Sequence, residues 1–110
     1  MTFADTGPTV FIFANSASGQ VLTVTDTVEG AVIQQQPPNY VGYARRTRAP
    51  VQSWELVPVG QNAGIFKIVS VAAEKVLDVR GASTADGALI QQFHDHGGTN
   101  QIWQLFSELS

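Results

Sequence analysis

Cysteine is absent from these 110 residues, so neither a disulfide framework nor thiol chemistry is available and the chain must hold together by packing. Charge is scarce: 14% of the residues are charged, six cations against nine carboxylates, for a net charge of -3. A weakly acidic chain has no long-range attraction for nucleic acid or for an anionic membrane. Three of the cations, Arg45, Arg46 and Arg48, sit together and read as part of a solvated loop. Long apolar runs are missing as well. None approaches the ~18 residues of a membrane span, and residues 1–8 lack the basic and apolar regions of a signal peptide. The expectation is a soluble protein, cytoplasmic or released without a signal peptide, that neither inserts in a membrane nor binds nucleic acid. Helical periodicity is the last absence, since no window keeps apolar residues at helical spacing for the length of a helix.

What is present is a set of short apolar runs, at residues 10–13, 21–24, 31–33, 54–59, 65–71, 76–79, 88–90 and 102–106. They have strand length, are rich in Val, Ile, Phe and Thr, and are separated by turn residues such as Ser18-Gly19, Gly60-Gln61-Asn62, Asp86-Gly87 and Gly97-Gly98. The pattern predicts an all-β chain of eight short strands in a single domain, 1–110. Asp86-Gly87 suits a tight turn that needs positive φ, and Gly30 stands in the matching place. Pro37-Pro38 and Pro50 bracket a stretch that cannot donate to a central ladder and is expected to be a surface loop.

The runs also repeat. A glutamine, any residue, tryptophan element occurs twice, as Gln52-Ser53-Trp54 and Gln101-Ile102-Trp103. Before it, Phe11, Phe13, Val21-Leu22, Gly30-Ala31 and Ile33-Gln34-Gln35 are answered in order by Phe66, Ile68, Val76-Leu77, Gly87-Ala88 and Ile90-Gln91-Gln92. Two repeats follow, 9–59 and 63–107, each of four strands. A unit that cannot bury its own apolar face must stack on copies of itself. Both tryptophans are expected in the core. The glutamine two residues earlier faces the same way and must find hydrogen bonds in the turns of its own repeat.

Val76-Leu77-Asp78-Val79-Arg80, Asp86 to Phe93 and Asn100-Gln101-Ile102-Trp103-Gln104-Leu105 together resemble the ricin B-type lectin repeat; the first repeat resembles it more weakly. The resemblance implies a β-trefoil, in which three four-stranded units surround a pseudo-threefold axis, and a role in carbohydrate binding. Here two repeats are recognisable instead of three. Self-association that completes the barrel is the favoured expectation, so a homo-oligomer; a reduced barrel closed by the 37–50 loop and a fragment of a longer chain are the alternatives.

A sugar site needs an aromatic face for the ring, a carboxylate for adjacent hydroxyls and an amide that donates. By the resemblance Asp78 would accept two hydroxyl hydrogen bonds, Phe93 would stack, and Asn100 would donate. Gln101 would hold Asp78 or tie the turn, Gln91 would be either a ligand contact or part of the strand, and His96 would share or take over the work of Phe93. In the first repeat these places hold Thr23, Gln36 and Val51, so that site is expected to be inactive. His94, Asp95 and His96 do not close a metal coordination sphere, and no catalytic triad or carboxylate pair stands out, so neither metal, cofactor nor catalysis is expected. The reading is a non-catalytic lectin for galactose, N-acetylgalactosamine or other glycans, with glycoconjugates as partners. The alternative, from another class, is a protease inhibitor or protein-interaction module that uses the 37–50 loop with Tyr40 and Tyr43.

Overall fold

The computed structural model describes residues 10–41, 47–61 and 64–105. Ten strands appear in chain order: β1 Val10–Phe11, β2 Val21–Val24, β3 Ile33–Gln36, β4 Tyr40–Val41, β5 Thr47–Arg48, β6 Trp54–Pro58, β7 Ile65–Ser70, β8 Val76–Val79, β9 Ile90–Phe93 and β10 Trp103–Gln104. Single 3₁₀ turns occupy Pro50–Gln52, Arg80–Ala82 and Thr99–Gln101. Eight of the strands fall on the apolar runs. The exceptions are β4 and β5, an antiparallel pair inside the stretch expected to be a loop. Tyr, Val and Thr favour extended backbone even in two-residue pieces between prolines, too short to register as a run. Tyr43, Arg45 and Arg46 lie outside the described residues. Among the described residues, no helix is long and apolar enough to cross a membrane.

Each repeat is built the same way. Its first and last strands pair, β1 with β6 and β7 with β10, at equivalent registers: Phe11 lies opposite Trp54 and Phe66 opposite Trp103. Its middle strands form a hairpin, β2 with β3 and β8 with β9, in which Leu22 faces Gln35 and Leu77 faces Gln92. Gly30 and Gly87, before the second strand of each hairpin, adopt φ of 83° and 80°, the left-handed region that the sequence demanded there. The repeats are joined by β6 and β7, antiparallel from Trp54 opposite Ser70 to Pro58 opposite Phe66.

The repeated glutamine and tryptophan lock each unit from within. Trp54 Nε1 donates to Leu22 O at 3.1 Å and Trp103 Nε1 to Leu77 O at 3.2 Å. Gln52 donates to Thr23 Oγ1 and Pro37 O and accepts from the Asn39 N–H. Gln101 does the same with Asp78 Oδ2, His94 O and the His96 N–H. Both amides are buried, and a buried polar group left unpaired costs about 1–3 kcal/mol, which explains why the residue recurs.

The core gathers Val24, Trp54, Ile68 and Leu77, with Phe13, Leu22, Ile33 and Ile90 packed against it. One expectation needs correction here: Trp54 is wholly buried, but Trp103 is only half-buried. Trp103 lines an open apolar cavity of about 370 Å³ with Phe13, Leu22, Ile33, Ile68, Leu77 and Ile90. The second repeat covers Trp54, and nothing in the described residues covers Trp103 in the same way.

Candidate functional site

Asp78 is the third residue of β8, opposite Gln91 of β9. The chain then turns through Arg80–Ala82, where Gly81 and Ala82 take φ of 66° and 53°, and so forms a rim beside the hairpin. From the other side, the Thr99–Gln101 turn brings Asn100 and Gln101 against the same carboxylate. A shallow pocket of about 320 Å³ results, lined by Asp78, Gly81, Ala82, Gln91, Phe93, His96 and Asn100.

Asp78 is 2% exposed and held on three sides. Gln91 Nε2 donates to its Oδ1 at 3.0 Å; Asn100 Nδ2 and Gln101 Nε2 donate to its Oδ2 at 3.1 and 2.9 Å. His96 Nε2 lies 3.8 Å from Oδ2. An ionised carboxylate offers about four acceptor positions, so one remains open, on Oδ1. Asn100 also donates to Val79 O at 3.1 Å, which turns both of its N–H groups inward and leaves Oδ1 as its free polar atom. Gln91 is held in turn, since its Oε1 accepts from Arg80 Nε at 2.7 Å.

The aromatic wall is composite. Phe93 stacks on His94, centroids 4.8 Å apart, and meets His96 edge-on at 5.9 Å. Phe93 and His96 line the pocket, whereas His94 faces outward onto Glu29 of the first repeat, which accepts from the His94 ring and, at 3.0 Å, from its backbone N–H. The hydrogen bond from the His94 ring is the chief reason that the Glu29 carboxyl lies below its ordinary value of 4.5. Behind His96, Lys67 donates to Asp95 at 2.7 Å and holds that carboxyl below its ordinary 3.8. The Lys67–Asp95 ion pair and the hydrogen bonds to Glu29 thus pin the 94–98 stretch. Gly98 makes room inside it: a Cβ there would stand 2.5 Å from His96 Cε1 and 2.6 Å from Asn100 Oδ1.

Of the six residues singled out in the sequence, Asp78, Gln91, Phe93, His96 and Asn100 meet at the pocket. Gln101 does not reach it; fully buried behind Asp78, it positions the carboxylate. Sequence reasoning missed Arg80, which ties Gln91 to Gly30 O of the first repeat at 2.8 Å, and it missed the contribution of Glu29. It read Gly98 only as a turn residue. In the first repeat, Thr23 is buried and donates to Val21 O while it accepts from Gln52, and Gln36 donates to Gln34. The carboxylate, aromatic and amide have no counterparts there.

The ricin-type beta-trefoil lectin domain-like family model matches residues 50–110, more than half of the chain. The chain belongs to that family. Its fold is the β-trefoil: ThreeFoil, a designed threefold-symmetric protein, superposes with a TM-score of 0.74 at 33% identity over 91% of this chain and 66% of its own. An exo-beta-1,3-galactanase from Clostridium thermocellum gives a TM-score of 0.72 at 34% identity over 91% of this chain and 20% of the enzyme. A Polyporus squamosus lectin, bound to Neu5Aca2-6Galb1-4GlcNAc, shares the fold with a TM-score of 0.67 at 19% identity over 90% of this chain and 32% of the lectin. The chain therefore spans just under two thirds of the designed protein and a fifth of the galactanase. No curated protein matches the chain in sequence.

Proposed function

We propose that this chain is a lectin that binds a galactose- or N-acetylgalactosamine-type sugar in the pocket of its second repeat. The observation that carries the reading is the meeting of Asp78, Phe93, His96 and Asn100 around one pocket, in a repeat whose sister has lost all of these groups. Membership of a ricin-type lectin-like family supports it. So does the 34% identity with part of an enzyme named for galactan.

In this reading a first hydroxyl donates to the open position on Asp78 Oδ1. A second reaches Oδ2 by displacing the Asn100 amide, and the freed N–H then donates to a sugar oxygen. The apolar face of the ring lies on Phe93, with the His96 ring beside it. Asp78 is the one carboxylate that lines the pocket. Glycoside hydrolysis uses two carboxyl groups in most families, so the chemistry on offer is binding.

A single shallow site of this kind holds a monosaccharide at millimolar strength, about -4 kcal/mol. Titration of the 110-residue chain with galactose, N-acetylgalactosamine and mannose, followed by amide NMR, tests the reading. Galactose-type sugars should shift the signals of residues 78–82 and 93–100. Phe93→Ala should weaken binding about tenfold, ~1.4 kcal/mol, while the fold is retained. If no sugar moves these signals, the proposal fails.

A further inference from the structure

Identical glutamine pairs stand at identical places in the two repeats and have opposite surroundings. Gln91 and Gln92 on β9 are 5% and 0% exposed. Gln34 and Gln35 on β3 are exposed. The difference is a loop. In the buried case the turn before β3 of the first repeat lies along β9: Gly30 N–H donates to Gln92 O, Gln92 N–H donates to Ala31 O, and the Gln92 side chain donates to Asp26 O and Val28 O. The matching turn of the second repeat, ending at Leu89, is exposed, with Leu89 itself at 48%. One chain thus carries a formed copy of this contact and both unused halves of a second.

The strand edges repeat the pattern. β6 and β7 join the repeats, while among the described residues their counterparts β10 and β1 each pair on one side only. Carried over by the repeat alignment, the β6 to β7 register would set Trp103 opposite Asn15, Gln104 opposite Ala14 and Leu105 opposite Phe13 of another copy. Between these edges lies the apolar cavity of about 370 Å³, whose lining gives water no polar partner.

We infer that the first repeat of a second copy fills this open face, docked head to tail through a replica of the contact that joins the two repeats of one chain; the closed barrel leaves no place for that copy's second repeat, so the β6 to β7 contact of the donating copy opens. The occupant is a copy of this chain because the vacant surfaces stand at the places that form its own internal interface, with the same glutamine pair on the receiving strand. The exposed turn at Leu89 lies along Gln34 and Gln35 of the neighbour, and the neighbour's Leu22 and Ile33 enter the cavity beside their counterparts. Such contacts are heterologous, with donor and acceptor surfaces on different faces. The chain covers 66% of a threefold-symmetric relative, two sectors of three. The smallest set that fills every sector with no repeat left over is therefore three chains forming two barrels, one chain giving a repeat to each.

Two variants separate the halves. Leu89→Lys alters an exposed residue of the docking turn. Gln35→Pro removes the N–H on the outer side of β3, the counterpart of the one that Gln92 gives to Ala31, and proline is tolerated on an edge strand. Near-ultraviolet dichroism and a cooperative melt establish that each variant is folded; should Gln35→Pro not fold, Leu89→Lys tests the docking turn alone. Light scattering and sedimentation of the wild-type chain at hundreds of micromolar should give three times 11.8 kDa. Each variant alone, and an equal mixture of the two, should remain single chains, because every closed barrel needs an intact Leu89 turn and an intact Gln35 edge in the same chain. A wild type that stays a single chain overturns the inference and passes the vacant sector to protein outside these residues. Association unaltered by Leu89→Lys, or a mixture of the two variants that associates as the wild type does, overturns the head-to-tail contact.

Discussion

At the scale of the residue, the site depends as much on a missing side chain as on those present. Gly98 has φ of -72°, a conformation open to alanine, so its role is spatial. Gly98→Ala should leave the melting temperature within a few degrees of the wild type, yet weaken sugar binding at least tenfold, because its Cβ displaces His96 and Asn100 from the pocket; calorimetric melting and the NMR titration read the two effects separately. The resemblance to the ricin B-type repeat pointed to Asp78, Phe93, His96 and Asn100. It did not reveal that Asp78 is already gripped by three amides. That depends on rotamers, which sequence separation does not encode. The partners of Gln52 and Gln101 were legible because a buried amide must be satisfied nearby.

At the scale of the element, the 94–98 stretch is a loop fastened by charge. Glu29 and Asp95 both titrate below their ordinary values of 4.5 and 3.8. A depressed carboxylate contributes its full stabilisation above the unfolded value and loses it as pH falls through the folded one. Acidification below about pH 4.5 should therefore release this loop before the barrel unfolds, seen as faster amide exchange at residues 94–98 and loss of sugar binding, with salt acting in the same direction. Eight strands were legible from runs of Val, Ile, Phe and Thr, and the turns from Gly30 and Gly87. The β4 and β5 pair was not, because two-residue strands make no pattern. The ties from Glu29 and Arg80 were hidden for another reason: each joins elements of different repeats, and a repeat alignment describes only likeness within one unit.

At the scale of the molecule, the described residues have an apolar interior with one side open. Binding of further copies to the folded form raises its apparent stability by mass action. The midpoint of thermal unfolding should rise with protein concentration for the wild type and stay constant for Leu89→Lys; differential scanning calorimetry over a hundredfold range of concentration checks it. That these 110 residues hold two recognisable repeats was legible by counting. Which surfaces would meet was not, since Gln34-Gln35 and Gln91-Gln92 read alike and only the fold buries one pair and leaves the other exposed.

The two tryptophans carry this asymmetry into light. Their indole N–H groups make the same bond to the same kind of carbonyl, so hydrogen bonding contributes equally to both emissions. What differs is the wet side of Trp103 at the cavity mouth. Its fluorescence should be red-shifted and open to iodide quenching beside the dry signal of Trp54 while the sector is vacant, a built-in gauge readable without any label or substitution.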